Sequence, residues 1–468
     1  MPEDSISQVS SLSNSINKRE DLLIELNSSL VSKIEGLIVS GNDIEVLRFV
    51  KSLHFADVAD LIEIINPEYR KTLIGSIVDE LRPEVLTKLD DTVLGEVVRQ
   101  LGVEKIAVAL GDLETDEVVE VIDDLDPKFR NDVLQKMEIS NRAGIEESLS
   151  YPEQSAGRLM QREHMAIPMF WNVGQVIDHL RETVELPDEF YELQVVDEKY
   201  HPVGIVPLNT LLRSKRPEAI KNIMISDIKL VPVEIDQEEV AYLFQQYDLV
   251  SASVINEDGR LIGVIMYDDI IDVIKEEAED DILRLGRVGD AGINDSIFAI
   301  TRDRFIWLMV NLMTAALASL VIFLFDATIE ELVALAVLMP IVASMGGNAG
   351  TQTLTVTVRA LASRDITSAN AARYINKELI VSLLNGFLFS IIIGLIAWLW
   401  FENYSLALVI CAAMMINMLA AGLSGILIPL GLSRVGADPA LAATVFVTTV
   451  TDVIGFFAFL GLATIFIL

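Results

Sequence analysis

The chain has 468 residues but only one cysteine and four histidines. A lone Cys411 excludes an internal disulfide and a cysteine zinc site, and the histidines have no zinc-ligand spacing. Positive charge is scarce: 35 Lys and Arg stand against 69 Asp and Glu, a formal net charge of −34. A surface that acidic repels nucleic acid and anionic lipid and attracts cations, so no nucleic acid partner is expected. Met1-Pro2-Glu3-Asp4 and the residues after it lack the basic start and apolar stretch of a signal peptide. The first half is therefore expected to stay in the cytosol. No Walker loop, hydrolase metal motif or paired nucleophile and base appears, so an enzyme is not expected.

Long uncharged runs begin at Phe305. A spanning helix needs about 20 apolar residues. Phe305–Phe325, Leu332–Val358, Leu379–Phe401, Asn403–Ser433 and Pro439–Leu468 meet that length, the last interrupted only by Asp452. Five spans in a lipid membrane follow. If they alternate, Arg302, Arg304, Arg359, Arg364, Arg373, Lys377 and Arg434 all fall on one side. The other side holds Asp326, Glu330, Glu331 and Glu402 with no Lys or Arg. Basic residues mark the cytosolic face. The expected topology is a cytosolic N-terminal half in a cell (inner) membrane, with the C-terminus outside. Residues 302–468 are nearly neutral, so almost all the negative charge lies on residues 1–301.

Within residues 1–301, the Ser-rich positions 1–20 are expected to be disordered. Residues 21–150 read as a helical domain. Val58, Leu61, Ile62 and Ile65 recur at helical spacing, and Pro67, Pro83 and Pro127 mark breaks. The stretch Ala56–Pro67 resembles Thr115–Pro127, which suggests a helical repeat. A second repeat fills residues 151–274. Val195-Val196-Asp197-Glu198 recurs as Val254-Ile255-Asn256-Glu257, and Gly204-Ile205-Val206 as Gly263-Val264-Ile265, both 59 residues on. Leu159-Met160 matches Ile223-Met224 at an offset of 64, the extra residues falling around Glu185–Glu189. Each copy is expected to run from its Leu/Ile-Met turn through a short strand, a helix and two strands to a closing helix. This resembles a tandem pair of CBS domains, regulatory modules that often bind adenosyl ligands. The resemblance implies that Asp269, six residues after Gly263, could hold a ribose, with ATP a possible ligand. Met266 stands where the pattern has Thr, and Thr210 occupies the acid's place in the first copy. A pair serving only as regulatory scaffold is the alternative. Residues 275–301 read as an acidic connecting helix and linker.

The candidate chemistry lies in the spans. Asp452 sits roughly 20 Å along the last one, near mid-membrane. A carboxylate there costs at least about 2.5 kcal/mol, so it marks a functional site unless a neighbouring helix bonds it. Thr444, Thr448, Asp452 and Gly455 form one polar or small stripe, flanked by Thr449 and Thr451. Carboxylate and hydroxyl oxygens suit Mg²⁺, Ca²⁺ or Mn²⁺, and a single acid suits Mg²⁺, which keeps most of its water. Span two carries Pro340, Gly346, Gly347 and Gly350, which weaken a helix, beside polar Asn348, Thr351 and Gln352. Close packing through small residues is the alternative there. It is the reading adopted for Ala421 and Gly425 in span four.

Met345-Gly346-Gly347-Asn348-Ala349-Gly350-Thr351-Gln352-Thr353 and Val447-Thr448-Thr449-Val450-Thr451-Asp452-Val453-Ile454-Gly455 resemble motifs of the MgtE family of magnesium transporters and channels. The order of parts fits the family too. The fold class expected is a helical N-domain superhelix, a tandem α/β CBS pair, a connecting helix and a five-span α-helical membrane domain. The resemblance implies a homodimer with a pore between the membrane domains and Asp452 holding hydrated Mg²⁺. It further implies that acidic residues bind cytosolic Mg²⁺ and close the pore. By position these are Asp116, Glu120, Asp236, Asp248, Asp258, Asp268, Asp272, Glu276, Glu277 and Glu279. The rivals are a coupled transporter of cobalt or manganese and a membrane-anchored adenine-nucleotide sensor.

Overall fold

A computed structural model describes residues 28–183, 186–187, 190–286, 297–367 and 369–467. The positions expected to be disordered, and parts of the Glu185–Glu189 insertion and of the linker after the connecting helix, lie outside them. The chain divides into two compact units, Met1–Ile274 and Lys275–Leu468.

The first unit opens with a helical domain running from α1 (Ser28–Val39) to α9 (Ile139–Ser148). Each proline expected to break a helix starts the next one. Pro67 and Pro127 occupy the first turn of α4 (Pro67–Ile77) and α8 (Pro127–Lys136), where a missing N–H costs nothing. Asn66 and Asp126 cap those helices. The preceding helices, α3 (Phe55–Ile64) and α7 (Thr115–Asp123), are the repeated pair. Their C-terminal carbonyls are held alike. Arg70 donates to the carbonyls of Ile62 and Glu63 at 2.8 and 3.0 Å, and Arg130 donates to that of Asp123. One buried cluster of apolar residues joins these helices, from Ile34 to Ile145.

The two CBS copies follow the offsets read in the sequence. The first has β1 (Ala166–Pro168), β2 (Glu192–Val196) and β3 (Pro202–Pro207); the second has β4 (Leu230–Pro232), β5 (Ser251–Ile255) and β6 (Leu261–Met266). In each, the first strand pairs parallel and the third antiparallel to the middle one. Each also shows a register shift at the same place, Val195/Val196 and Val254/Ile255.

The copies differ from expectation in one respect: their lead-in turns are exchanged. Ala156 and Met160 lie in the core of the second copy, and Ile220 lies in that of the first. Gln161 bridges to Val264 on β6, and Ile225 bridges to Ile205 on β3. The strand glycines explain the fit. A Cβ at Gly204 would sit 2.8 Å from the Ile225 carbonyl, and one at Gly263 would sit 2.9 Å from that of Gln161. Only glycine lets the crossing segment lie so close.

The helix closing the second copy does not stop at residue 274. It runs unbroken from Tyr267 to Gly286 and is itself the connecting helix. Among the described residues of the second unit, five helices are long and apolar enough to cross a membrane: Ile300–Phe323, Ala334–Ala362, Ala371–Phe401, Tyr404–Arg434 and Thr444–Phe466. A short helix, Asp326–Glu331, lies between spans one and two. Span two is continuous despite Pro340 and its glycines, and two of them, Gly346 and Gly350, are packing surfaces rather than breaks. A Cβ at Gly350 would run against Val447 of span five at 2.5 Å. Gly425 of span four lies against Thr353 and the Gly350 carbonyl, with 2.9 Å to either for a Cβ. The close packing read for Ala421 and Gly425 is therefore present.

Candidate functional site

Span five carries the candidate pathway. Its helix, Pro439–Phe466, is capped by Asp438, whose Oδ1 accepts the Ala440 N–H at 2.7 Å. Thr444, Thr448 and Asp452 are all half-buried and lie at steps of four, so they share one face. The Thr448 hydroxyl donates to the Thr444 carbonyl at 2.9 Å. Its proton is thus spent on its own helix, and its oxygen remains an acceptor for water. Thr451 is fully buried and donates to the Thr448 carbonyl. Gly455 is buried against Asn417 of span four. Asp452 therefore lies at the edge where the packed face meets open surface. Asn348 is exposed on span two, about 200° around that helix from Gly346 and Gly350. Within one chain it is not gathered with the threonines.

Two groups escaped the sequence reading. Asn417, in the middle of span four, is completely buried and donates from Nδ2 to the Val342 carbonyl at 2.7 Å. The signal was a lone amide in Met414-Met415-Ile416-Asn417-Met418. Arg284, near the end of the connecting helix, pairs with Asp438 at 2.8 Å and with Asp280 at 3.2 Å. Leu285 packs beside it on a cluster that includes Leu354, Val358, Ala440 and Val447. Asp281 is pushed above the usual carboxylate range by burial and by the Asp438 charge, with Arg284 opposing.

The first unit gathers four of the ten regulatory candidates, Asp116, Glu120, Asp268 and Asp272, around Asp269. Asp116, on α7, is held well above its ordinary value by burial and by the charges of Asp269, Glu114 and Glu117. Its Oδ1 is shut from solvent with no hydrogen-bond partner. Asp269 is pushed up to about 7 by burial, then by Asp268, with Glu120 and Glu114 adding to it. It also accepts the Met266 N–H at 3.2 Å. The residue proposed for a ribose thus faces the same acidic crowd. A cation reaches this face: Lys88 pairs with Asp272 at 2.7 Å. Burial opposes its charge, but Asp272, Glu120 and Glu117 outweigh that and raise it.

Asp236, Asp248 and Asp258 lie elsewhere in the second copy. Asp236 caps the helix Gln237–Tyr247 and Asp248 ends it in a left-handed conformation, φ +52°. Asp258 is exposed on the β5–β6 turn. Glu276, Glu277 and Glu279 follow on the connecting helix, Glu279 lying 3.9 Å from Lys275. Among the described residues, no group of three or more Asp, Glu, His or Cys side chains is already drawn together as a metal cage.

An acidic helical domain, a crossed CBS pair and five apolar helices with one carboxylate at mid-span define a multi-pass membrane protein with a large soluble acidic region. The comparisons with known proteins agree. Residues 339–462 match the MgtE divalent cation transporter model, residues 53–154 the MgtE intracellular N domain, and residues 220–276 the CBS domain. The chain is 30% identical to the magnesium transporter MgtE of Thermus thermophilus, over 86% of this chain and 94% of that one. It is 26% identical to that of Bacillus subtilis over 94% and 97%. A solved structure described as the cytosolic domain of the Mg²⁺ channel MgtE in complex with ATP covers 52% of the chain at 26% identity, with a TM-score of 0.48. The chain belongs to the MgtE family.

Proposed function

We propose that this protein passes Mg²⁺ through the membrane into the cytosol as a homodimer, and that cytosolic Mg²⁺ closes it. The observation that carries the transport reading is the half-open face of Thr444, Thr448 and Asp452 on span five. The magnesium transporters among its relatives support the choice of ion. Hydrated Mg²⁺ offers protons from its bound water, and Asp452 and the Thr448 oxygen are acceptors for them. One carboxylate per chain, doubled in a dimer, neutralises the ion without stripping its water. A downhill channel fits better than a coupled carrier, because no carboxylate–histidine relay accompanies Asp452 in the spans.

The closing reading rests on Asp116, Glu120, Asp268, Asp269 and Asp272. Like charges crowded at low dielectric repel, and a divalent ion relieves that repulsion. Glu276, Glu277 and Glu279 continue the acidic surface along the connecting helix. The same helix carries Arg284, bonded to the residue that caps span five. A change at the acids can thus reach the pore through one helix. The ATP reading finds less support. Asp269 is engaged among acids, and the cavity beside Glu192 and Ser251 holds about 20 Å³, room for about one water.

The test is Mg²⁺ entry into liposomes holding the native chain or Asp452→Ala. Entry with the native chain and its loss in the variant is expected. Equal flux from both removes Asp452 from the pathway. Flux requiring a proton or sodium gradient, or preferring Co²⁺ or Mn²⁺, favours the coupled carrier. No flux, with tight adenylate binding, favours the sensor.

A further inference from the structure

The geometry points to Asn417 as the positioning residue that sets the place of Asp452, acting as a polar spacer between spans two and five. It touches neither the half-open threonine face nor solvent, and its exposure is 0%. Glycines on two other helices are cut away to receive it. A Cβ at Gly346 of span two would collide with its amide, and a Cβ at Gly455 of span five would lie 2.7 Å from Nδ2 and 3.0 Å from Cγ. The amide cannot swing aside freely, because Nδ2 is tied to the Val342 carbonyl. That bond also fixes which end of the amide is nitrogen, since only nitrogen donates.

Gly455 lies three residues past Asp452, less than one helical turn. Whatever fixes the height and rotation of Gly455 fixes those of Asp452. An apolar side chain would fill this place in the bundle without leaving a polar side-chain atom unpaired. The Asn417 Oδ1 is buried with no partner, which a packing role alone would disfavour. Serving orientation, the amide grips span two by its hydrogen bond and span five by its shape.

The inference rests on the transport reading, and native flux is measured first. Native protein in liposomes with no Mg²⁺ entry removes that reading, whatever the variants do. Given native entry, Gly455→Ala should cut Mg²⁺ flux per inserted protein about tenfold or weaken its preference for Mg²⁺ over Ca²⁺ to a similar degree. Shortening the partner in Gly455→Ala/Asn417→Ser should recover flux and preference together. Asn417→Leu should insert, yet conduct with altered preference. The inference is overturned if Gly455→Ala or Asn417→Leu changes the melting temperature while flux and preference stay native. It is overturned equally if the double variant conducts no better than Gly455→Ala. Should Gly455→Ala fail to insert, the double variant and Asn417→Leu decide between the same outcomes.

Discussion

The two units use the same side chain in opposite ways. In the first, carboxylates are crowded: Asp116 and Asp269 are enclosed beside Glu114, Glu117, Glu120 and Asp268, and one of them titrates near 7. In the membrane spans of the second, carboxylates are sparse. Asp438 is paired with Arg284, and Asp452 is the one acid within its span. A crowd has a free energy that depends strongly on whether a cation is present, which suits detection. A single acid binds a hydrated ion weakly enough to release it, which suits passage. Number and spacing, rather than residue type, separate the two tasks.

The largest expected effect comes from neutralising the isolated acid without changing its shape. A unit charge facing a divalent ion at about 5 Å is worth several kcal/mol at an effective dielectric of about 20. Asp452→Asn should therefore lower liposome Mg²⁺ entry more than about a hundredfold. A variant conducting within a factor of about three of native would break the contrast.

The crowd should show itself in pH. Asp269 titrates near 7 in the folded protein against about 3.9 for a free aspartate. Its contribution to stability is fully present below about pH 4 and is lost as pH rises to about 7, levelling above that. In metal-free buffer the first transition in a melting scan should fall by several degrees across that window, by more than in Asp269→Asn. The Glu114, Glu120, Asp116 and Asp268 carboxylates face the same group, and the Lys88 ammonium stands beside Asp272, Glu120 and Glu117. Added Mg²⁺ should flatten the slope at neutral pH. An identical slope in Asp269→Asn would show that the crowd is not energetically coupled.

Arg284→Ala tests the pairing that balances Asp438 beside Asp280 and Asp281. Both partners are about one-third exposed, so the bond is worth roughly 0.2–1 kcal/mol. The Mg²⁺ concentration that half-closes the channel should move by up to about fivefold, with open-state flux unchanged. The smallest effect is expected from Lys88→Met, since its pair with Asp272 is more exposed. Removing that tethered cation should tighten Mg²⁺ protection of the acidic face against proteolysis by about twofold. A weakening would show that the ammonium helps to assemble the face instead of competing for it.

Much of this architecture was legible because it is periodic. Apolar runs of spanning length, strands 59 residues apart and helices restarting at proline each repeat a local rule. The exchange of Met160 and Met224 between CBS copies was not legible, because either partner offers the same apolar surface. Gly204 and Gly263 hinted at a close approach without saying which segment approaches. Asp452 stood out because a carboxylate in lipid is costly. Asn417 did not, since an amide in an apolar run costs less and its two glycines lie about 70 residues before it and 38 after it. Arg284 and Asp438 are 154 residues apart and join only through folding.

The exchanged lead-in turns bear on how this region could arise and be passed on. A fragment ending at Arg213 lacks the Ile220–Ile225 segment that completes its own sheet. One beginning at Ile220 lacks the Ala156–Gln161 segment that completes the other. Neither copy is a transferable part. The smallest piece of the region that can be moved, duplicated or lost intact is the pair.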